Sequence, residues 1–189
     1  MHRYFPVRGL RICGAPVYVH WMVIVVAVAL LAYSIKAPIA ALATLASYFG
    51  ILLLHESGHA WFARRLGCRP HSIHVGLFHG RCTYDTPAHD WTRSVVAWGG
   101  VLAQFAVAIP LILLDQLTGA GHLPVLGPMI AYLGYLSTFV AVVNLAPAPG
   151  LDGAQAWRVF RLRRGPPGPS TEVHQPPVKP IRSHLRRVK

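Results

Sequence analysis

The sequence predicts an all-α, multipass membrane protein with about four transmembrane helices. Three observations favour this fold class. Hydrophobic residues make up 53% of the 189-residue chain and charged residues only 13%, whereas soluble domains carry about a quarter charged residues. Four apolar segments are close to the length of about 20 residues that crosses a bilayer as a helix. Basic residues lie beside these segments and not within them. A buried helical bundle of a soluble protein is disfavoured by four such runs in so short a chain.

The predicted spans follow one another along the chain and define its domain organisation. They cover residues 17–33, 39–62, 94–114 and 125–146. The first span is not expected to be a cleaved signal peptide, because its apolar core is too long and its only Ala-x-Ala site lies in the middle. The predicted division is a basic N-terminal segment at 1–16, an intramembrane domain at 17–157 and a basic, Pro-rich tail at 158–189. That tail is expected to be disordered, either as a solvated segment or as one attracted to anionic lipid or a protein partner.

Positive charge sets the predicted orientation. Of the 18 Lys and Arg residues, three precede span one, five lie between spans two and three, and nine follow span four; the remaining one is Lys36. Lys and Arg are enriched in cytoplasmic loops, so we expect both termini in the cytoplasm. Nucleic-acid binding is not expected, because the basic residues cluster beside apolar runs.

A metal-binding pattern, HESGH, lies near the end of the second span. His55 and His59 are one helical turn apart and share a face, where both imidazoles could hold one zinc ion while Glu56 serves as the general base. His55 lies about 24 Å beyond the start of this span, near the cytoplasmic edge of a core about 30 Å thick. Burying a carboxylate in a membrane is costly. A metal therefore explains these residues better than histidines bonded only to backbone or water.

A catalytic zinc ion takes three protein ligands and keeps one position open, so a third ligand is needed. Asp152 is the preferred candidate, in the stretch NLAPAPGLDG after span four. Prolines and glycines end the helix there, and the chain returns to the side on which His55 lies. Asp85 and Asp90, in the loop after span two, remain possible. Asn144 is the only Asn in the chain, positioned to bond freed backbone or a substrate strand.

With these two motifs the sequence resembles the site-2 protease family of intramembrane zinc metalloproteases, over about residues 14–160. The family's HExxH motif falls on His55, Glu56 and His59, and its N-x-x-P-x-P-x-L-D-G motif falls on residues 144–153. The resemblance implies one Zn²⁺ per chain held by His55, His59 and Asp152, and a transmembrane protein as substrate. It also implies the compact form of the family, without a PDZ or CBS domain, in a bacterial cell membrane.

Weaker similarities complete the predicted fold. Residues 71–84 resemble a β-hairpin of the family, so we expect a small membrane-associated β-hairpin between helices two and three, with His79 as a loop residue or a spare ligand. Residues 99–105 resemble the glycine-bearing middle core helix, in which Gly100 and Gln104 are candidate substrate-binding or supporting residues; many relatives have Asn where Gln104 stands. An unwound substrate is expected to add as a strand to an exposed edge such as 72–78.

The sequence thus predicts a zinc metalloendopeptidase that hydrolyses a peptide bond in or near a transmembrane segment of a membrane-protein client, near the cytoplasmic face. We expect membrane lipid to surround the protein, and we do not expect nucleic acid as a partner. One alternative is a proteolytically inactive zinc-binding membrane protein that retains or scaffolds clients, but such a protein needs no general base like Glu56. The second alternative is a metal transporter. A transporter would need polar residues along a path through the membrane, whereas the predicted ligands cluster at one face.

Overall fold

The computed structural model describes residues 4–162, which form a helical bundle with a small sheet beside it. A short 3-10 turn connects the third and fourth helices, and the middle of the fourth helix is π-helical, at Ile130–Leu136. In chain order the elements are β1 (Tyr4–Ile12), β2 (Ala15–His20), α1 (Trp21–Tyr33), α2 (Pro38–Arg65), β3 (Pro70–Val75), β4 (Gly80–Tyr84), α3 (Asp90–Thr118), α4 (Leu126–Asn144), α5 (Gly153–Ala156) and α6 (Arg158–Leu162).

Three helices of the described chain, α2, α3 and α4, are long and apolar enough to cross a membrane. They correspond to the second, third and fourth predicted spans. Large apolar side chains on their outer surfaces are exposed, among them Leu42, Ile109 and Phe139. Exposed apolar side chains suit helices that face lipid. By its fold, the protein is an integral membrane protein.

The first predicted span, residues 17–33, is corrected by the structure, because only its second part is helical. Val17 lies in β2, and α1 begins at Trp21, where Nδ1 of His20 accepts a hydrogen bond from the Met22 amide at 3.3 Å. β-branched and aromatic residues alternate at 17–19, a pattern that favours a strand. The 13 residues of α1 rise about 20 Å, which is short of a hydrocarbon core of about 30 Å.

The predicted β-hairpin is present as β3 and β4, but it forms half of a larger sheet. The strand order is β1-β2-β3-β4, in which β2 and β3 are parallel and the other pairs are antiparallel. The N-terminal segment therefore contributes two strands. The expectation of an exposed edge at 72–78 is wrong, because β3 is hydrogen-bonded on both sides. In the described part of the chain the outer strands are β1 and β4.

The sheet packs on α2 through one apolar face. Val17 of β2 and Ile73 of β3 are fully buried against Ala60 of α2. Further along α2, the Tyr48 hydroxyl donates to the carbonyl of Leu77, in the loop between β3 and β4, at 2.7 Å. Tyr48 precedes the HESGH stretch by seven residues, which is about 10 Å of helix. The sheet thus lies along α2 on both sides of the predicted metal ligands.

Close contact between α2 and α3 depends on glycine. A Cβ atom at Gly58 would overlap the carbonyl of Gly99, and one at Gly99 would lie 2.7 Å from the carbonyl oxygen of Gly58. Small residues let membrane helices approach closely. This contact brings α3 directly against the face of α2 that carries the histidines.

Only the beginning of the predicted tail falls within the described residues. It forms the five-residue helix α6, and the remainder of the expected disordered segment lies outside the described residues.

Candidate metal centre

The two histidines of HESGH, His55 and His59, face each other through their Nε2 atoms. They lie one turn apart in the regular helix α2, and Nε2 of His55 is 3.1 Å from Nε2 of His59. His59 is buried and His55 is partly buried. Helical periodicity alone is enough to bring these two atoms together.

Asp152 reaches this pair from the irregular stretch after α4. Its Oδ2 atom lies 2.9 Å from Nε2 of His55 and 3.3 Å from Nε2 of His59. The ligand atoms of the three residues all lie within 4.8 Å of one another, and they are the one such group found among the described residues. Two imidazole nitrogens and a carboxylate oxygen are a donor set that suits zinc. The cluster could therefore bind a metal ion.

The stretch that carries Asp152 is held by backbone carbonyls and two indole rings. Gly153 packs so closely on the carbonyl of Leu145 that a Cβ atom would overlap it. Nε1 of Trp157 donates to the same carbonyl at 2.6 Å, and Nε1 of Trp98, from α3, donates to the carbonyl of Ala156 at 3.0 Å. These contacts fix a non-helical segment against α3 and α4.

The charge of Asp152 suits a metal ligand. Its Oδ2 atom faces the Nε2 atoms of both histidines, and the residue is only partly buried. An aspartate carboxyl group has an ordinary pKa of about 3.9 and is ionised at neutral pH, the state in which a carboxylate binds a cation.

Each histidine is oriented by a partner at its other ring nitrogen. Nδ1 of His59 lies 2.8 Å from the carbonyl oxygen of Val96, and Nδ1 of His55 lies 2.8 Å from Oε1 of Gln104. A carbonyl oxygen only accepts, so Nδ1 of His59 carries the proton and Nε2 presents its lone pair to the cluster. Such outer contacts fix the tautomer of metal-binding histidines in general.

Gly100 gives the two imidazoles room against α3. A Cβ atom at this position would lie 2.6 Å from Cε1 of His55 and 2.7 Å from Nε2 of His59. Because any side chain would displace the rings, Gly100 supports the cluster by its small size.

Glu56 lies beside the cluster without belonging to it. Only 6% of the residue is exposed, and its carboxyl group is next to the start of β4. A Cβ atom at Gly80 would lie 2.5 Å from Oε1 of Glu56. The carboxyl group therefore sits under β4, adjacent to the two histidines on the same helix.

A cleft of about 510 Å³ opens beside these groups. Its walls come from α2, β4, α3, the end of α4 and the stretch around Asp152. Asn144 and His79 both line it, although neither belongs to the three-residue cluster. Glu56 and the three residues of the cluster also line this cleft.

The other two carboxylates considered as third ligands have different partners. Asp85 accepts from the Arg69 amide at 3.0 Å and from Nε2 of His71 at 2.8 Å. Asp90 lies 3.6 Å from the Arg93 guanidinium. Neither is in the histidine cluster, and of the three candidates the structure brings only Asp152 to it.

Sequence reasoning missed two contributions to this site and predicted a third residue, Gln104, without its contact. Gly80 admits Glu56 under β4, Trp98 anchors the segment after Asp152, and Gln104 bonds His55. The Trp98 contact joins residues 58 positions apart, so no local pattern signals it. Gln104 carried a signal, a polar residue in an apolar helix, but the sequence did not identify its partner.

The elements above define a helical membrane protein with a small sheet and a His-His-Asp cluster at one end of its spanning helices. Its structure is similar to that of the site-2 protease from Methanocaldococcus jannaschii, with a TM-score of 0.59 and 22% sequence identity over 85% of this chain and 73% of that chain. No protein-family model and no curated protein matches the sequence. The similarity establishes a shared fold, and at that level it confirms the resemblance predicted from the two motifs.

Proposed function

We propose that this protein is an intramembrane zinc metalloprotease that hydrolyses a peptide bond in or near a transmembrane segment of a membrane-protein client. The observation that carries the proposal is the convergence of His55, His59 and Asp152 beside the buried carboxyl group of Glu56. The fold shared with a site-2 protease supports the same function.

The chemistry follows from the roles that these residues can fill. Zinc held by the three ligands would acidify a water molecule and polarise the scissile carbonyl group. Glu56 takes the proton of the attacking water and gives it to the nitrogen of the leaving amine. Its position under β4 keeps the carboxyl group at the wall of the cleft, where the substrate must pass.

The edge of β4 is the proposed binding site for the unwound substrate. Within the described chain β4 is hydrogen-bonded to β3 alone, and Gly80 and Cys82 of this strand line the cleft. An extended peptide can add to such an edge through main-chain hydrogen bonds. A substrate strand paired with β4 would run past Glu56. A helical substrate would have to unwind before it could pair in this way.

The charge distribution supports a cytoplasmic location for the cleft. Five basic residues lie between the apolar part of α2 and the apolar part of α3, two of them in the last turn of α2. They are on the side where HESGH ends, and basic loops are retained in the cytoplasm. We therefore propose a multipass membrane protein with both termini inside, and from the family resemblance we propose a bacterial cell membrane.

Comparative membrane proteomics tests this function. Cells producing the unsubstituted chain are compared with cells producing Glu56→Gln and with the control Ser57→Ala. The Ser57 hydroxyl bonds only the Leu53 carbonyl of its own helix, at 2.5 Å, so this control alters a neighbouring position without touching the cleft. Intact single-span proteins should accumulate with Glu56→Gln and be cut with the other two chains.

Equal processing by Glu56→Gln would contradict the protease function. If Glu56→Gln retained bound zinc and acted on clients like the unsubstituted chain, a retaining or scaffolding protein would replace our proposal. Zinc flux in proteoliposomes that depends on His55 would instead indicate a transporter.

A further inference from the structure

We propose that Gln104 is a positioning residue that sets the tautomer of His55 and thereby the zinc affinity of the cluster. It does so by connecting His55, on α2, to Ser137, on α4. The inference rests on the proposed function in one respect, since it takes His55 to be a metal ligand.

The orientation of the Gln104 amide follows from its surroundings. Its nitrogen, Nε2, lies 3.4 Å from the carbonyl oxygen of Ser137 and 3.3 Å from the hydroxyl of the same residue. A backbone carbonyl can only accept, so the NH₂ group of Gln104 must face Ser137. The amide oxygen, Oε1, therefore faces His55.

This orientation decides where His55 carries its proton. Oε1 of Gln104 lies 2.8 Å from Nδ1 of His55 and can only accept, so Nδ1 is the protonated nitrogen. The lone pair of Nε2 then points toward His59 and Asp152, as metal binding requires.

The two histidines differ in how this tautomer is secured. The partner of His59 is the carbonyl of Val96, a backbone atom that no substitution removes. The partner of His55 is a side chain, and that side chain is itself held by a residue of a different helix. His55 is therefore the ligand whose orientation depends on packing among α2, α3 and α4.

A direct role of Gln104 in substrate binding is disfavoured by the same contacts. The residue is fully buried, and both ends of its amide are bonded inside the protein. A substrate would have to displace His55 or Ser137 to gain a hydrogen bond from it.

Zinc affinity of the full chain in detergent tests the inference, measured by competition with a chromogenic chelator. All variants carry Glu56→Gln, so that self-cleavage and client turnover do not affect the measurement. Gln104→Leu removes the acceptor. Gln104→Glu keeps an acceptor of the same length and, as the neutral acid that this fully buried position favours, an O–H donor toward Ser137. Gln116→Leu is the matched control, because Gln116 lies on the same helix and bonds the Tyr135 hydroxyl instead, at 2.8 Å.

We expect Gln104→Leu to weaken zinc binding by about 10- to 100-fold, the range for loss of an outer partner of a metal ligand. Gln104→Glu should stay within about threefold of the parent chain, which carries Glu56→Gln alone, and the affinity of Gln116→Leu should equal that of this parent. Nitrogen-15 NMR of the zinc-free chain that also carries Asp152→Ala, in which no carboxylate competes for Nε2 of His55, should show Nδ1 protonation of His55 with Gln and a tautomer mixture with Leu. Should Gln104→Leu not fold, Gln104→Met, which keeps the length of the side chain and removes the acceptor, takes its place.

Equal zinc affinity and an unchanged His55 tautomer in the Gln104→Leu or Gln104→Met chain would overturn the role of Gln104 alone. A loss of affinity in Gln104→Glu as large as that in Gln104→Leu would overturn it too, because the acceptor is then not what matters. Absence of zinc binding in the unsubstituted chain would contradict the proposed function as well, which keeps the two failures distinct.

Discussion

The two segments that supply the cluster are built in opposite ways. Residues 55–59 lie inside a regular helix of 28 residues, and their spacing alone aligns two imidazoles. Residues 145–152 are irregular, and contacts of Trp98, Trp157 and Gly153 hold the segment that carries Asp152 in place. Overpacking substitutions in the helical segment should therefore mainly lower the stability of the fold. Those in the irregular segment should mainly lower the affinity for the metal.

The largest expected effect is on the ligand that the irregular segment supplies. Asp152→Ala removes one of three ligand atoms, so zinc affinity should fall by more than about 100-fold, beyond the range of outer-shell changes. Equilibrium competition with a chelator measures this loss. Asp90→Ala is the control, and a comparable loss in that chain would return Asp90 to consideration as the third ligand.

The helical segment is tested by its closest packing contact. Gly58→Ala places a methyl group against the carbonyl of Gly99 and should lower the free energy of unfolding by about 1–3 kcal/mol, as overpacking does. Unfolding by SDS in mixed micelles measures it. Gly50→Ala, on the same helix, meets only the flexible end of Leu133 at 3.3 Å and should cost less. A larger loss from Gly50→Ala would contradict the packing argument.

The irregular segment has a corresponding glycine with a different expected readout. Gly153→Ala would push a methyl group into the carbonyls of Leu145 and Ala146 and so displace Asp152. Zinc affinity should fall by about 10-fold, while unfolding changes less than in Gly58→Ala. The neighbouring Ala154→Ser, at an exposed position, serves as the control. An unchanged affinity in Gly153→Ala would show that Asp152 does not depend on this packing.

The smallest effect concerns a carboxylate outside both segments. A hydrogen bond from the Arg69 amide, with His71 adding to it, holds the pKa of Asp85 below its usual value. Stability from a depressed carboxyl pKa is present above the unfolded value, near 3.9, and is lost as pH falls through the folded pKa. Hydrogen-exchange protection of the Arg69 amide should therefore fall below about pH 4.

Asp85→Asn gives the matched comparison for that prediction. It should remove the acid-dependent part of the protection while leaving zinc affinity at neutral pH unchanged. Protection that falls equally in both chains below about pH 4 would assign the effect to another group.

The parts of the fold that follow from local pattern were predictable. Apolar length gave α2, α3 and α4, and the i, i+4 rule placed His55 beside His59. The strand β2 was not predictable in this way, because a short apolar run fits either a strand or a buried helix. Its pairing partner, β3, begins more than fifty residues later.

The site shows the same division between local and distant information. Asp152 was predicted because prolines and glycines end α4 on the side of His55, a topological argument that needs no coordinates. The contacts of Gln104 with His55 and Ser137 join residues on three helices. They depend on helix rotation and separation, which composition and periodicity do not determine.

The parallel pairing of β2 with β3 imposes an order on biosynthesis. Val17 can meet Ile73 only after α1 and α2 have left the ribosome, since both helices lie between the two strands. Asp152 emerges later still, after the last spanning helix, and chains are made from the N-terminus onward. A half-synthesised chain thus lacks Asp152, so its pair of histidines cannot yet form the complete cluster.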